Sequence, residues 1–212
     1  VRILVERGAK AVVIACNTAT SAAIDQLRVK FEIPIIGMEP AIKPAIESTK
    51  NGNIVVMATP MTLKLDKFNH LLNRLRSTSQ IIKVPSSDLV NYVEKGIFDG
   101  EALEDYLKEL LKQYEMEKIE SIVLGCTHFL YLREVLIKVL GRKIQIIDGN
   151  SGTINRVIQI LSEQNLESKD NAGDFSIDNS ESDEMIQLSY QLYETYQKMK
   201  QIQRQSIENQ KF

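Results

Sequence analysis

The sequence predicts an α/β fold built on parallel sheets. Short apolar runs rich in β-branched residues, such as KAVVIAC at 10–16, alternate along the chain with segments of helical periodicity. These runs are apolar throughout, which is typical of strands buried on both faces of a parallel sheet. The clearest helix is GEALEDYLKELLKQY at 100–114, whose leucines and tyrosines form one stripe. Strands that alternate with helices require crossover connections and therefore a parallel sheet.

The elements follow the same alternation from one end of the chain to the other. Strands are expected at 10–16, 33–37, 53–58, 81–84, 120–126 and 143–148. Helices are expected at 18–31, at 39–48 with Pro40 in its first turn, and at 60–77, 100–114, 129–141 and 151–163. The polar stretch 165–184 predicts a loop with a short edge strand at 175–177, and the apolar spacing from Met185 to Met199 predicts a docking helix.

Composition excludes several classes of function. The chain has 212 residues, of which 43% are hydrophobic and 25% charged, with a formal net charge of -2. There is no basic field for nucleic acid, no apolar run long enough to span a membrane, and no signal-peptide pattern at the start. Its two cysteines, Cys16 and Cys126, have neither zinc-ligand nor disulfide-scaffold spacing. We therefore expect free thiols, no metal site and a cytoplasmic location.

The two cysteines occur in matching contexts, VVIACNTATSAAI and SIVLGCTHFLYLREVL. In each, an apolar strand leads to a small residue, a cysteine, polar side chains and a helix. Ligands of open α/β sheets bind at the carboxyl ends of strands, and a helix N-terminus attracts an anion there. The same dipole is expected to lower the pKa of each thiol. Asn17, Thr18, Thr127 and His128 can add side-chain donors to an anion such as a carboxylate.

Two thiols at matching strand ends predict a ligand held between them. Inversion at a carbon needs one group that accepts a proton and another, on the opposite face, that donates one. Two other readings stay open: buried structural cysteines, and a Cys126–His128 nucleophilic pair as in hydrolases. The second is disfavoured because a histidine two positions away on a tight turn is not well placed to deprotonate the thiol. Glycine-rich phosphate loops are missing from the sequence, which argues against a nucleotide cofactor.

The cysteine motifs also carry a family resemblance. ACNTAT around Cys16 and LGCTHF around Cys126 closely resemble the two signature motifs of glutamate racemases, within the aspartate/glutamate racemase superfamily. IPIIGMEPAIKPA, ATPMT and IIDGNSGT are similar to further segments of that family. The resemblance covers nearly the whole chain.

The resemblance implies a cofactor-independent racemase that interconverts L- and D-glutamate and supplies D-glutamate for bacterial peptidoglycan, and hence for cell-wall biogenesis and cell shape. It implies that Cys16 and Cys126 are the acid/base thiols. Glu94 and Thr59 would have supporting roles. The substrate would be bound by a set of polar residues: Asn17, Thr18, Thr62, Thr127 and His128. No cofactor, metal, nucleic acid or membrane would be involved, and the partners would be glutamate and a second copy of the chain in a homodimer.

The family fold implies two similar parallel-sheet α/β domains related by a pseudo-twofold axis, the first made of 1–42 plus 149–212 and the second of 43–148. The family's early Asp-Ser-Gly and Tyr-Gly motifs do not occur here, and the chain opens at Val1 inside a helical pattern. We expect that an N-terminal segment is missing, leaving the first domain incomplete and these residues weakly active or inactive and poorly stable. The alternatives are a racemase of aspartate or another small acid, a noncatalytic carboxylate-binding remnant, and a thiol hydrolase or redox protein.

Overall fold

The computed structural model describes residues 1–50, 52–75, 79–141, 144–168 and 173–209, without the side chains of residue 67 and residues 202–209. The chain divides into two compact units, Val1–Glu167 and Ser168–Phe212. The ends of the predicted helix at 76–77 and of the predicted strand at 143, together with part of the predicted loop at 169–172, lie outside the described residues.

The predicted strands are present in the first unit and pair in parallel, which confirms the α/β fold class. They are β1 Val12–Ile14, β2 Ile35–Gly37, β3 Asn53–Ala58, β4 Ile81–Pro85, β5 Ile119–Leu124 and β6 Gln145–Asp148. β1 and β2 form a two-stranded sheet, and the others form a four-stranded sheet in the order β4-β3-β5-β6. The first sheet lies within residues 1–42, which are part of the first predicted domain. The second sheet lies within residues 43–148, the second predicted domain. The proposed division into racemase domains stays a prediction.

Helices connect the strands of the first unit, and the last described helix in chain order lies in the second unit. They are α1 Arg2–Glu6, α2 Asn17–Lys30, α3 Ile42–Ser48, α4 Pro60–Lys64, α5 Asp66–Arg74, α6 Asp88–Glu94, α7 Glu101–Lys112, α8 Arg133–Leu140, α9 Asn150–Glu163 and α10 Asp183–Asn209. Short 3-10 helices occupy Met116–Lys118 and Thr127–Leu132. Among the described residues, none of the helices has both the length and the apolar character needed to cross a membrane.

The predicted helix over 60–77 is wrong as a single element, because Leu65 adopts an extended conformation between α4 and α5. Leu63 and Phe68 are both buried in the same core cluster. They are five positions apart, so on an unbroken helix they would point about 140° away from each other. The break lets both side chains face the sheet.

Other helices also differ from the sequence-based expectation, and β1 and β5 end before Cys16 and Cys126 rather than at them. α3 begins at Ile42, so Pro40 precedes the helix and its carbonyl accepts the N–H of Ile42. The segment predicted as one helix over 129–141 starts as the 3-10 helix and becomes α-helical only at Arg133. α6 was not predicted, although serine and aspartate before an apolar segment are a recognisable helix start.

The core surrounds the four-stranded sheet. The side chains of β3 from Ile54 to Ala58 are inaccessible to solvent, and Leu103, Leu107 and Leu111 of α7 are equally buried. A central strand buried on both faces explains why its sequence is apolar throughout rather than alternating.

The second unit consists of α10 and the segment that precedes it. Phe175 packs against the rings of Tyr190 and Tyr193, and the Tyr190 hydroxyl accepts the N–H of Ile177 at 3.1 Å. The predicted edge strand at 175–177 is therefore wrong: this segment packs on the helix through aromatic side chains and has no partner strand among the described residues.

Candidate functional site

Cys16 lies in the turn that joins β1 to α2. Its backbone is extended, and its Sγ accepts the N–H of Ala19 at 3.4 Å, so the cysteine acts as the N-cap of the helix. The residue is exposed and its thiol is free. A sulfur that caps a helix points along the free N–H groups of the first turn, where an anion is also favoured.

Cys126 follows β5 in a similar turn that begins at Gly125. The Gly125 N–H donates to the Met57 carbonyl at 2.7 Å, which extends the pairing of β5 with β3 past the end of the strand. A Cβ at position 125 would lie 2.8 Å from the Cβ of Ala58, so glycine permits this close approach. Cys126 is half-buried and free.

A cluster of three threonine hydroxyls links the Cys16 turn to the end of β3. Thr18 Oγ1 lies 3.1 Å from Thr59 Oγ1 and 2.7 Å from Thr62 Oγ1, and the latter two oxygens are 3.0 Å apart. Thr18 belongs to α2, whereas Thr59 caps α4 directly after β3. The Cys126 turn contacts the same strand end through Met57. Both thiol-bearing turns therefore flank the carboxyl end of β3.

The threonine cluster has a defined hydrogen-bonding capacity. Each hydroxyl has one proton to donate, and the three protons can all be used around the triangle. Thr59 Oγ1 also accepts the N–H of Thr62 at 3.3 Å. Lone pairs on the oxygens remain, so the cluster is better suited to accept a hydrogen bond than to donate one. Thr62 is fully buried, whereas Thr18 is only half-buried.

His128 bridges Cys126 and Glu94. Its Nδ1 lies 3.7 Å from the Cys126 Sγ, and its Nε2 lies 3.4 Å from Glu94 Oε1. A histidine two positions from the cysteine is expected from the sequence to be poorly placed to deprotonate the thiol, but the structure brings the ring nitrogen within contact distance of the sulfur. The 3-10 conformation of Thr127–Leu132 turns the ring back towards the sulfur. Glu94 is at the end of α6, which packs against this 3-10 helix.

The pKa of the Cys126 thiol is raised above its ordinary value, chiefly because the group is buried. The backbone N–H groups of His128 and Phe129 lower the pKa, and the charges of Cys16 and Glu94 raise it. The expectation of a lowered pKa at Cys126 is therefore wrong. A short 3-10 helix follows this thiol, and the N–H groups of that helix lower the pKa. Desolvation of the thiolate raises the pKa by more than these N–H groups lower it.

Asn17 and Thr127 are the remaining predicted site residues. Asn17 is 3% exposed, and its Oδ1 has no hydrogen-bond partner among the described residues. A buried carbonyl oxygen without a partner is costly, so this atom is suited to a donor from a bound ligand. Thr127, beside Cys126, is half-buried.

A metal site is not apparent in the described part of the chain. No group of three or more His, Cys, Asp or Glu side chains there is arranged to hold an ion.

The family model and the similar proteins found by comparison agree on one family. The family model described as Asp/Glu/Hydantoin racemase matches residues 1–157. A glutamate racemase of Clostridium botulinum (strain Alaska E43 / Type E3) is 48% identical over 198 residues, which are 92% of this chain and 77% of that protein. A glutamate racemase of Clostridium novyi (strain NT) is 47% identical, over 91% of this chain and 76% of that protein.

Solved structures agree with the sequence comparisons. The structure of Escherichia coli glutamate racemase, in complex with L-glutamate and the activator UDP-MurNAc-Ala, matches with a TM-score of 0.70 and 31% identity, and the match covers 82% of this chain and 65% of that one. A glutamate racemase of Thermus thermophilus matches with a TM-score of 0.75 at 24% identity, which supports the fold. The chain thus spans slightly less than two thirds of the Escherichia coli protein.

These similarities define the class of protein as an amino-acid racemase, an isomerase. Within that class, the chain belongs to the Asp/Glu/Hydantoin racemase family.

Proposed function

We propose that this protein is a cofactor-independent glutamate racemase in which Cys16 and Cys126 transfer protons at the α-carbon. The observation that carries the proposal is the placement of both thiol-bearing turns at the carboxyl end of β3, joined there by Thr18–Thr59 and Gly125–Met57 hydrogen bonds. The glutamate racemases at 48% and 47% identity support glutamate as the substrate.

The reaction balances with the two thiols alone. The thiolate of one cysteine takes the α-proton, so the C–H bond breaks, an S–H bond forms and the electron pair is delocalised into the α-carboxylate. The thiol of the other cysteine then donates its proton to the opposite face, so a new C–H bond forms with inverted configuration and that sulfur becomes a thiolate. The protonation states of the two sulfurs are exchanged after one turnover, and the reverse reaction uses the exchanged pair.

The surrounding residues have roles that follow from their hydrogen-bonding capacity. The Asn17 Oδ1, which has no hydrogen-bond partner among the described residues, accepts a hydrogen bond from the substrate ammonium, and the Thr127 hydroxyl donates a hydrogen bond to a carboxylate. Thr18 contacts the substrate, with Thr59 and the buried Thr62 holding its hydroxyl in place.

Burial favours the protonated form of Cys126, and His128 and Glu94 lie beside that thiol. The raised pKa of this thiol favours its neutral form, which is the form required of the proton donor. His128 is close enough to Cys126 Sγ to share that proton, and Glu94 orients the ring through Nε2.

The biological assignment rests on the same relatives. We propose that the D-glutamate supplies peptidoglycan synthesis, and so cell-wall biogenesis and cell shape, in the bacterial cytoplasm. We propose a homodimer, and two racemase domains at 1–42 plus 149–212 and at 43–148. Each parallel sheet lies within one of these proposed domains, which supports the division.

The experiment is exchange of the α-hydrogen in heavy water, followed by proton NMR. The protein is expected to exchange the α-hydrogen of L- and D-glutamate slowly, in keeping with the weak activity expected from the sequence, and to act far less on aspartate. Cys16→Ala and Cys126→Ala should each abolish racemisation. Racemisation that persists in both variants would rule out the two-thiol scheme. Faster exchange of aspartate would change the substrate, and binding of glutamate without exchange would indicate a carboxylate-binding protein.

A thiol hydrolase is the second candidate, because the contacts of Cys126, His128 and Glu94 resemble a nucleophile–base–carboxylate series. The raised pKa of Cys126 opposes it, since a hydrolase needs a ready thiolate. A burst of p-nitrophenol from p-nitrophenyl acetate that requires Cys126 and His128, without exchange on glutamate, would favour this candidate.

A further inference from the structure

The chain passes twice between the two sheets, and the two passages touch. We call them the crossing segments: residues 38–41 after β2 and residues 148–150 at the end of β6. A Cβ at Gly149 would lie 2.7 Å from the Glu39 carbonyl oxygen, so the two backbones are in direct contact. Because the two segments are packed this closely, a shift of one towards the other would require the other to move.

Arg133 joins the Cys126 turn to the second crossing segment. It is the first residue of α8, directly after the 3-10 helix that follows Cys126. Its Nη1 donates to the Ile146 carbonyl at 2.7 Å and its Nη2 donates to Asp148 Oδ2 at 2.9 Å, while Asp148 Oδ1 accepts the N–H of Asn150 at 2.9 Å. The guanidinium thus makes two hydrogen bonds to β6, and Asp148 passes this restraint to the start of α9 by accepting the Asn150 N–H.

The contact between Arg133 and Asp148 is well shielded. Their side chains are only 26% and 20% exposed. An exposed ion pair has little effect on geometry, whereas this ion pair is mostly removed from solvent, and Arg133 is held by a second bond to the Ile146 carbonyl. Asp148 also lies opposite Leu124 in the sheet, and Leu124 is two residues before Cys126 in the chain.

Thr20 joins the Cys16 turn to the first crossing segment in the same manner. Its Oγ1 donates to the Ile14 carbonyl at 3.1 Å and accepts the N–H of Met38 at 3.1 Å, and the residue is 1% exposed. Ile14 is the last residue of β1, two positions before Cys16. The two thiol turns are therefore connected through Thr20, the touching crossing segments, Asp148 and Arg133.

We infer that Arg133 is a positioning residue that sets the separation of the Cys126 and Cys16 thiols by anchoring the Cys126 turn to the crossing segments. The inference rests on the proposed two-thiol function for its consequence in catalysis. Proton transfer at opposite faces of one carbon requires both sulfurs to be in line with it, and a misplacement of about 1 Å can cost roughly a hundredfold in rate.

The separation can be measured without substrate. The chain has two cysteines, so cross-linking by dibromobimane within one chain, separated from cross-linked dimers by denaturing gel electrophoresis, reports only on the Cys16–Cys126 pair. Each thiolate displaces one bromide and forms one C–S bond, and strong fluorescence requires both displacements. Arg133→Gln and Arg133→Lys, the second of which retains the charge without the planar fork, should slow cross-linking by about tenfold or more. Labelling by monobromobimane should stay within about twofold.

Lys138→Gln is the matched control. Lys138 is also on α8 and also contacts carboxylates, Asp99 and Glu104, but it faces α7 rather than the crossing segments. Its loss should leave cross-linking unchanged. If Arg133→Gln does not fold, Arg133→Lys and Asp148→Asn are the tests, with folding checked by circular dichroism. Folded variants that cross-link at the parental rate would overturn the inference.

Kinetics distinguish this inference from the proposed function. If the parent exchanges the α-hydrogen of glutamate, Arg133→Lys should lower kcat by about tenfold or more while KM stays within about twofold, because the substrate-binding side chains are unchanged. A parent that neither binds glutamate nor exchanges its α-hydrogen would refute the proposed function, whereas the cross-linking rates would still decide the role of Arg133.

Discussion

Gly125→Ala tests whether the close approach of the Cys126 turn to β3 is essential. The added Cβ would lie 2.8 Å from Ala58 Cβ and 3.0 Å from the Met57 carbonyl oxygen, so a backbone must move. Overpacking of this kind costs about 1–3 kcal/mol. The movement also weakens the 2.7 Å hydrogen bond from the Gly125 N–H to Met57, which is worth about 1 kcal/mol. We therefore expect a loss of about 2–4 kcal/mol in the free energy of unfolding.

Urea denaturation followed by circular dichroism measures this loss, and Gly152→Ala is the matched control. Gly152 lies in the first turn of α9 with nothing within 4 Å of an added Cβ, so the same chemical change should not destabilise the protein and should stabilise the helix by at most about 0.5–1 kcal/mol. In addition, the displaced turn should alter the labelling rate of Cys126. A Gly125→Ala variant as stable as the parent would refute the steric argument.

Two further predictions concern the thiol and the core. The pKa of Cys126 is raised by burial, so its alkylation by iodoacetamide, measured in a Cys16→Ala background, should rise with pH later than that of an unfolded thiol. The native state favours the protonated thiol. The contribution of this thiol to the free energy of unfolding is therefore complete below the ordinary pKa of a cysteine and is lost as pH rises through the raised pKa. A difference in the free energy of unfolding between the parent and Cys126→Ala that does not change with pH would contradict this. Leu107→Ala empties a fully buried position in α7 and should cost about 2–5 kcal/mol in urea denaturation. Val29→Ala, at a side chain that is 91% exposed, should change stability by less than about 0.5 kcal/mol.

The strands were predictable because their signal is local. The apolar runs of β3 and β5 are short, β-branched and bounded by polar residues, and burial on both faces requires that pattern. The turns at Cys16 and Cys126 were predictable for the same reason, since each directly follows a strand and precedes a helical segment. Helix boundaries were less accurate where tertiary packing competes with local periodicity, as at Leu65, which breaks a helix so that Leu63 and Phe68 face one core.

The chemistry of the site depended more strongly on distant contacts. A local reading placed Cys126 at a helix N-terminus and expected a lowered pKa, whereas the folded chain buries the thiol and raises it. The contact of His128 with Cys126 depends on a 3-10 turn that local periodicity does not distinguish from an α-helix.

By itself, the sequence determined the alternation of strands and helices and the two cysteine motifs at strand ends, because both follow from short-range patterns of burial and polarity. Only the tertiary structure decided which groups meet. Thr18 contacts Thr62 across 44 positions of the chain, and Arg133 reaches Asp148 across 15. Such partners are determined by how distant segments of the chain cross and by which groups become buried. The residues next to each partner in the sequence do not reveal either.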